Sequence, residues 1–168
     1  MSLTQSKELL LYNLLVLSLL LGCGSKKPEG ILIGEKAPDF SLLDLTDKVH
    51  NLAEHKGRVV LLCFWATGCP KCKEAMPKID EIYKSLSGKG LDVLGVNVMQ
   101  SEDAVSAFIR GYNISFPTPL DKDEKVARGY GVIGLPATFI IDKSGVIRES
   151  VMGNMAKDDM ERLVTPLL

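Results

Sequence analysis

Apolar residues recur along this chain with different periods, and their order predicts its elements. Val59-Val60-Leu61-Leu62-Cys63-Phe64 is a continuous apolar run between Gly57 and Gly68. It reads as a strand buried on both faces, the kind that parallel sheets hold. Beyond Cys72 the spacing turns helical through Ala75, Met76, Ile79, Ile82, Tyr83 and Leu86. This predicts a helix over 70–87, with Pro70 in its first turn and a kink at Pro77. Ser87-Gly88-Lys89-Gly90 closes that helix, and 91–98 reads as the next buried strand. Ser101, followed by Glu102 and Asp103, is an N-cap signal for a helix reaching about residue 112.

The two prolines of Phe116-Pro117-Thr118-Pro119-Leu120 restrict that stretch to an edge strand or an extended segment. A short helix over 124–130 precedes Gly131-Val132-Ile133-Gly134-Leu135-Pro136. Strands at 137–141 and 146–152 form a hairpin around Asp142-Lys143-Ser144-Gly145, and an amphipathic helix covers 156–164. Upstream of the central strand, 40–43 and 49–52 form a smaller hairpin through the turn 44–48. Strands alternating with helices and ending in a hairpin give an α/β domain with a mixed sheet flanked by helices.

The N-terminus follows a different pattern. Residues 9–21 form an apolar run interrupted at Tyr12, Asn13 and Ser18, too short to span a bilayer but suited to a signal peptide. Leu20-Leu21-Gly22-Cys23 resembles the lipobox of bacterial lipoproteins, in which the cysteine is acylated and becomes the first mature residue. The alternative is a buried leader helix with a structural cysteine. The lipoprotein reading divides the chain into a signal peptide, 1–22, a lipid-anchored linker, 23–33, and a folded domain, 34–168. The polar stretch Gly24-Ser25-Lys26-Lys27-Pro28-Glu29-Gly30 reaches only about 25 Å at roughly 3.5 Å per residue. The domain would then work in the cell envelope, outside the cytoplasm and close to a membrane.

Composition narrows the function. Net charge is −1 with no dense basic block, which argues against a nucleic-acid surface. Four cysteines are too few for a disulfide scaffold in 168 residues. Cys69 and Cys72 open a helix directly after a buried strand, a redox geometry in which the first sulfur lies beside the helix N-terminal amides. Zinc would need a second half-site, and Cys23, the strand residue Cys63, His50 and His55 do not make one. No metal or other cofactor is expected.

In the exchange reading Cys69 is the exposed nucleophile and Cys72 the resolving thiol. Lys71 and Lys73 add positive charge that favours a thiolate, or serve only as solvated helix surface. Cys63, inside the strand, reads as a small hydrophobe.

These residues carry a family resemblance over about four-fifths of the chain. Trp65-Ala66-Thr67-Gly68-Cys69-Pro70-Lys71-Cys72 and Gly134-Leu135-Pro136-Ala137-Thr138-Phe139 resemble paired motifs of TlpA/ResA-type proteins. These are exported, membrane-tethered thiol–disulfide oxidoreductases on a thioredoxin fold. The segment 101–120 resembles their central helix–strand insertion. The resemblance implies a cis peptide at Pro136 beside the cysteine pair, and substrate contacts at Leu135, Pro136 and Trp65. It also implies protein thiols or disulfides of the envelope as partners, with a membrane electron donor and reduction as the direction. Apocytochrome c thiols are one substrate class it suggests.

The chain departs from the family at three places. Gly68 stands where a tryptophan usually precedes the first cysteine, so the mouth of the site should be more open. Cys63 stands where thioredoxins keep a buried aspartate. Glu74 lies one residue before the position, Ala75, of a glutamate used by some relatives. Deprotonation of Cys72 therefore falls to water, or to Glu74 if its side chain turns inward.

Two rival functions draw on the same residues. Ala37-Pro38-Asp39-Phe40 also resembles the opening of peroxiredoxins, but Ala66 occupies the position three before Cys69 where those peroxidases carry a hydroxyl. A non-enzymatic metal or haem chaperone on this fold would use Cys-x-x-x-Cys and a distant histidine, whereas no histidine follows His55.

Overall fold

The computed structural model describes residues 33–168. The expected signal peptide, Cys23 and all of the expected linker but Ile33 lie outside the described residues. Among the described residues there are two sheets: a hairpin of β1 (Ser41–Leu43) and β2 (Val49–Asn51), and a five-stranded sheet ordered β5-β4-β3-β6-β7. Its strands are β3 (Val59–Trp65), β4 (Leu91–Val98), β5 (Leu120–Asp121), β6 (Ala137–Ile141) and β7 (Ile147–Met152). β3 pairs in parallel with β4, and β4 with β5; β6 runs antiparallel to both β3 and β7. The helices are α1 (Pro70–Leu86), α2 (Glu102–Tyr112), α3 (Lys125–Gly129) and α4 (Lys157–Val164).

All seven residues of β3 are buried. Alternation sends Val59, Leu61, Cys63 and Trp65 to one face, where they meet Met76, Ile79 and Ile82 of α1, Val105 and Phe108 of α2, and Met160 of α4. Val60, Leu62 and Phe64 point to the other face, into a core with Phe40, Leu52, Tyr130 and Phe139. Each such side chain contributes about 1.5–3 kcal/mol when fully buried. The double-sided core is why the strand reads as an uninterrupted apolar run.

Most predicted bounds hold within a residue or two. Ser101 caps α2 by accepting from the Ala104 N–H at 3.4 Å, and α1 runs through Pro77 without ending. β5 is shorter and later than the predicted 116–120. Pro117 and Pro119 have no N–H to donate, so that segment offers β4 acceptors only. Their carbonyls accept from Gly95 N (3.0 Å) and Asn97 N (2.9 Å), holding it along the edge of β4. A 3-10 helix at Leu52–His55, which the polar sequence did not signal, connects β2 to β3.

The β1–β2 turn is organised by Asp44. One of its oxygens accepts from Thr46 N, Thr46 Oγ1 and Lys48 N, and the other lies 2.7 Å from His50 Nε2. Burial pushes the Asp44 carboxyl up, but the hydrogen bonds from His50, Thr46 and Lys48 outweigh it and hold the pKa down to about 2.

Gly95 marks a close approach between the sheet and the Phe116 ring. A Cβ there would stand 2.5 Å from Cε2 of the buried Phe116 ring and 3.4 Å from Trp65 Nε1. Gly95→Ala is expected to lower stability by about 1–3 kcal/mol, because ring and strand cannot both keep their places. Urea unfolding of the oxidised domain measures it.

Candidate active site

The site forms where β3 ends and α1 begins. Trp65 closes the strand, Ala66-Thr67-Gly68 turns the chain, and Cys69 is the N-cap of α1 with Pro70 in the first turn. Cys69 has extended backbone (φ −85°, ψ 114°), and its Sγ accepts the Cys72 N–H at 3.1 Å. Cys69 and Cys72 are joined in a disulfide with Cα atoms 5.2 Å apart. The two sulfurs are not equivalent. Cys72 is completely buried in the core that also holds Trp65, whereas Cys69 is partly exposed. Of the pair, only Cys69 has surface open to solvent.

Opposite the pair stands the loop into β6. The Leu135–Pro136 peptide is cis, and the Leu135 carbonyl oxygen lies 3.5 Å from Cys69 Sγ. Pro136 is buried, and its carbonyl accepts the Gly153 N–H at 2.7 Å, tying the loop to the end of β7. Cys69, Cys72, Leu135 and Pro136 are thus brought together at one end of the sheet. Lys71 and Lys73 are exposed on the first turn of α1, which carries no acidic residue. Nothing lies within 4 Å of where a Cβ on Gly68 would be, so the mouth beside Cys69 is open.

Two expected site residues lie elsewhere. Trp65 is not a substrate contact: it is fully buried, its Nε1–H donates to Gly95 O at 3.0 Å, and its ring packs 4.6 Å from that of Phe108. The alternation of β3 turns position 65 under α1 and α2, so the indole forms a wall beneath the site. Glu74 does not turn inward. It is exposed and accepts from Asn154 Nδ2 at 3.0 Å, bridging α1 to the segment after β7.

Cys63 is completely buried, and burial, only partly offset by a hydrogen bond with Thr138, pushes its thiol up to about 12. It is a core side chain. The histidines are engaged in the frame, His50 with Asp44 and His55 with Asp92, the latter at 2.6 Å. Among the described residues no group of three or more His, Cys, Asp or Glu could hold a metal ion.

One feature of the site carries no sequence motif. Gln100, just past β4, bonds Thr67 twice: Oε1 accepts the Thr67 N–H at 2.6 Å, and Nε2 donates to Thr67 Oγ1 at 2.7 Å. Buried Asn97 donates to the same Gln100 Oε1 at 2.8 Å. A glutamine and a threonine 33 positions apart give no local signal.

Sheet order, cysteine pair and cis-proline loop together define a thioredoxin-fold thiol–disulfide oxidoreductase. The chain belongs to the AhpC/TSA family, whose model matches residues 33–150. It is 37% identical over 132 residues to the thiol-disulfide oxidoreductase ResA of Geobacillus kaustophilus, covering 79% of this chain and 76% of that protein. It is 40% identical over 141 residues to the thioredoxin-like protein YneN of Bacillus subtilis, covering 82% of each. A crystal structure of a thioredoxin-family thiol:disulfide interchange protein from Chlorobium tepidum superposes with a TM-score of 0.73 at 25% identity. That match covers 82% of this chain and 99% of the other.

The burial of Cys63 has a direct readout. In the reduced native protein at pH 8, iodoacetamide is expected to modify Cys69 and leave Cys63 unmodified until the protein is unfolded. Peptide mass mapping checks it.

Proposed function

We propose that this protein is an exported, membrane-tethered enzyme that reduces disulfides of extracytoplasmic polypeptides through Cys69 and Cys72, with Cys23 as its lipid anchor. The observation that carries the reading is the asymmetry of the pair. A partly exposed N-cap sulfur stands beside the Leu135 carbonyl, and its disulfide partner is wholly buried. The ResA relatives support thiol–disulfide exchange as the reaction. Export and anchoring are supported by the apolar run 9–21 and Leu20-Leu21-Gly22-Cys23.

In the reduced enzyme, the Cys72 amide and the end of α1 stabilise a thiolate on Cys69. That thiolate attacks one sulfur of a substrate disulfide. A Cys69–substrate S–S bond forms, the substrate's own S–S bond breaks, and its second sulfur leaves as a thiolate that takes a proton from solvent. The backbone of Leu135, beside Pro136, pairs with the substrate chain and aligns the attack. Cys72 then loses its proton to water and attacks Cys69 Sγ. The mixed disulfide breaks, Cys69–Cys72 forms, and the substrate departs with both cysteines reduced. Two electrons have passed to the substrate, and a dithiol donor at the membrane restores the pair by the same exchange in reverse.

The test uses the full chain expressed for export. Cys72→Ser is expected to accumulate mixed disulfides through Cys69, releasable by dithiothreitol, in the membrane fraction. Cys23→Ser is expected to move the protein out of that fraction. An untrapped Cys72→Ser protein, together with a wild-type enzyme that leaves insulin disulfides intact, would overturn the exchange reading. Peroxide consumption lost in Cys69→Ser would replace it with a peroxidase. Trapped apocytochrome c would identify one substrate class directly.

A further inference from the structure

We propose that Gln100 is a positioning residue for Cys69: through its two bonds to Thr67 it holds the turn that carries the sulfur, a restraint that Gly68 does not supply. The inference rests on Cys69 being the nucleophile. Gly68 is the residue immediately before Cys69, it is exposed, and no side chain packs it in place. Glycine also has the widest backbone freedom. Between the rigid end of β3 and the N-cap, the backbone bond from Cys69 N–H to Ala66 O at 3.2 Å closes the turn, and Gly68 adds no side-chain restraint to it.

The restraint arrives from the neighbouring strand. Gln100 grips both the amide and the hydroxyl of Thr67, at 2.6 and 2.7 Å. Gln100 is itself held by Asn97 Nδ2, which also reaches the Trp65 carbonyl at 3.4 Å. Asn97 sits opposite Trp65 in the β3–β4 register. The network thus spans from the last residue of β3 to the turn two residues before the sulfur.

Two local costs fall here. Asn97 is 1% exposed, and with its amide nitrogen turned to Gln100 and Trp65 its Oδ1 is left buried without a partner. Met99 takes a left-handed conformation (φ 56°), unfavourable for an unbranched non-glycine residue, at the turn between Asn97 and Gln100. An unpaired buried acceptor and a strained backbone persist where the surrounding structure depends on the resulting geometry.

The chemistry that depends on it is the Cys72 N–H···Sγ contact at 3.1 Å. This contact favours a thiolate only if Cys69 stays at the N-cap. Loss of the grip lets Thr67 and Gly68 move, so the sulfur samples positions away from the amide and from the line of attack.

The experiment measures, in a Cys72→Ser background, the pH profile of Cys69 alkylation and the rate of its reaction with a small aromatic disulfide. Melting temperature is followed in parallel. Gln100→Ala is expected to move the alkylation midpoint upward and to slow disulfide attack at pH 7 by about tenfold. Thr67→Val, which keeps the amide contact and loses the hydroxyl, should fall between it and wild type. Thr67→Ser should match wild type. Adding Gly68→Ala to Gln100→Ala should recover part of the rate, because an alanine stiffens the turn and its Cβ meets nothing within 4 Å.

A Gln100→Ala or Thr67→Val protein with wild-type midpoint and rate, whatever its melting temperature, would overturn the proposal. If Gln100→Ala does not fold, Thr67→Val against Thr67→Ser decides it. Unchanged exchange in Cys69→Ser would instead overturn the nucleophile assignment, an outcome separate from the role of Gln100.

Discussion

The burial of β3 on both faces is the constraint from which the rest of this structure follows. Val59–Trp65 is paired with β4 on one side and β6 on the other, and its side chains enter two separate cores. A strand held in this way cannot shift its register or rotate, since either movement exposes one apolar set. Its C-terminal end is therefore a fixed point, and the chain leaves it by a short turn into α1. Cys69 inherits its place from that fixed point, and Cys72 is carried one helical turn further, into the core that also holds Trp65.

The same arrangement divides the work between the sulfurs. Placing Cys69 at the N-cap exposes it to the amides of the first turn, while alternation along β3 and the apolar face of α1 enclose Cys72. β6 then brings in the other half of the site, because the residues just before it must cross the end of β3. The cis peptide at Pro136 and the carbonyl of Leu135 stand beside Cys69 as a result of the β3–β6 pairing that begins at Ala137. Exchange at a reachable sulfur with a buried resolving partner suits a fold whose rigid sheet supplies the positions and whose loops supply access.

Much of this was legible in one dimension. The apolar run before Cys69 and the 3.6-residue spacing after Cys72 located β3 and α1, because those signals are local and periodicity reads them. The facing loop at Leu135-Pro136 came instead from the resemblance of Gly134-Leu135-Pro136-Ala137-Thr138-Phe139 to a family motif. What escaped depended on contacts far apart in sequence. Gln100 and Thr67 meet only because β4 lies beside β3. Glu74 is drawn outward by Asn154, and an indole that the family resemblance implied as a substrate contact is turned inward by the strand's alternation. The shortened β5 had a local cause, two missing N–H donors, yet its place along β4 required the partner strand to donate its N–H groups to the proline carbonyls.

By itself, the sequence determined the class of fold, the position of the cysteine pair at a strand–helix junction and the lipobox-like segment that ends at Cys23. Hydrophobic period, proline, glycine and cysteine spacing act over a few residues and need no partner to be read. Only the tertiary structure decided how completely Cys72 is enclosed, that Trp65 lies buried as a wall beneath the site, and that the turn before Cys69 is held from the neighbouring strand. Those are properties of side chains meeting across the sheet, where burial and hydrogen-bond partners depend on strand order and not on distance along the chain.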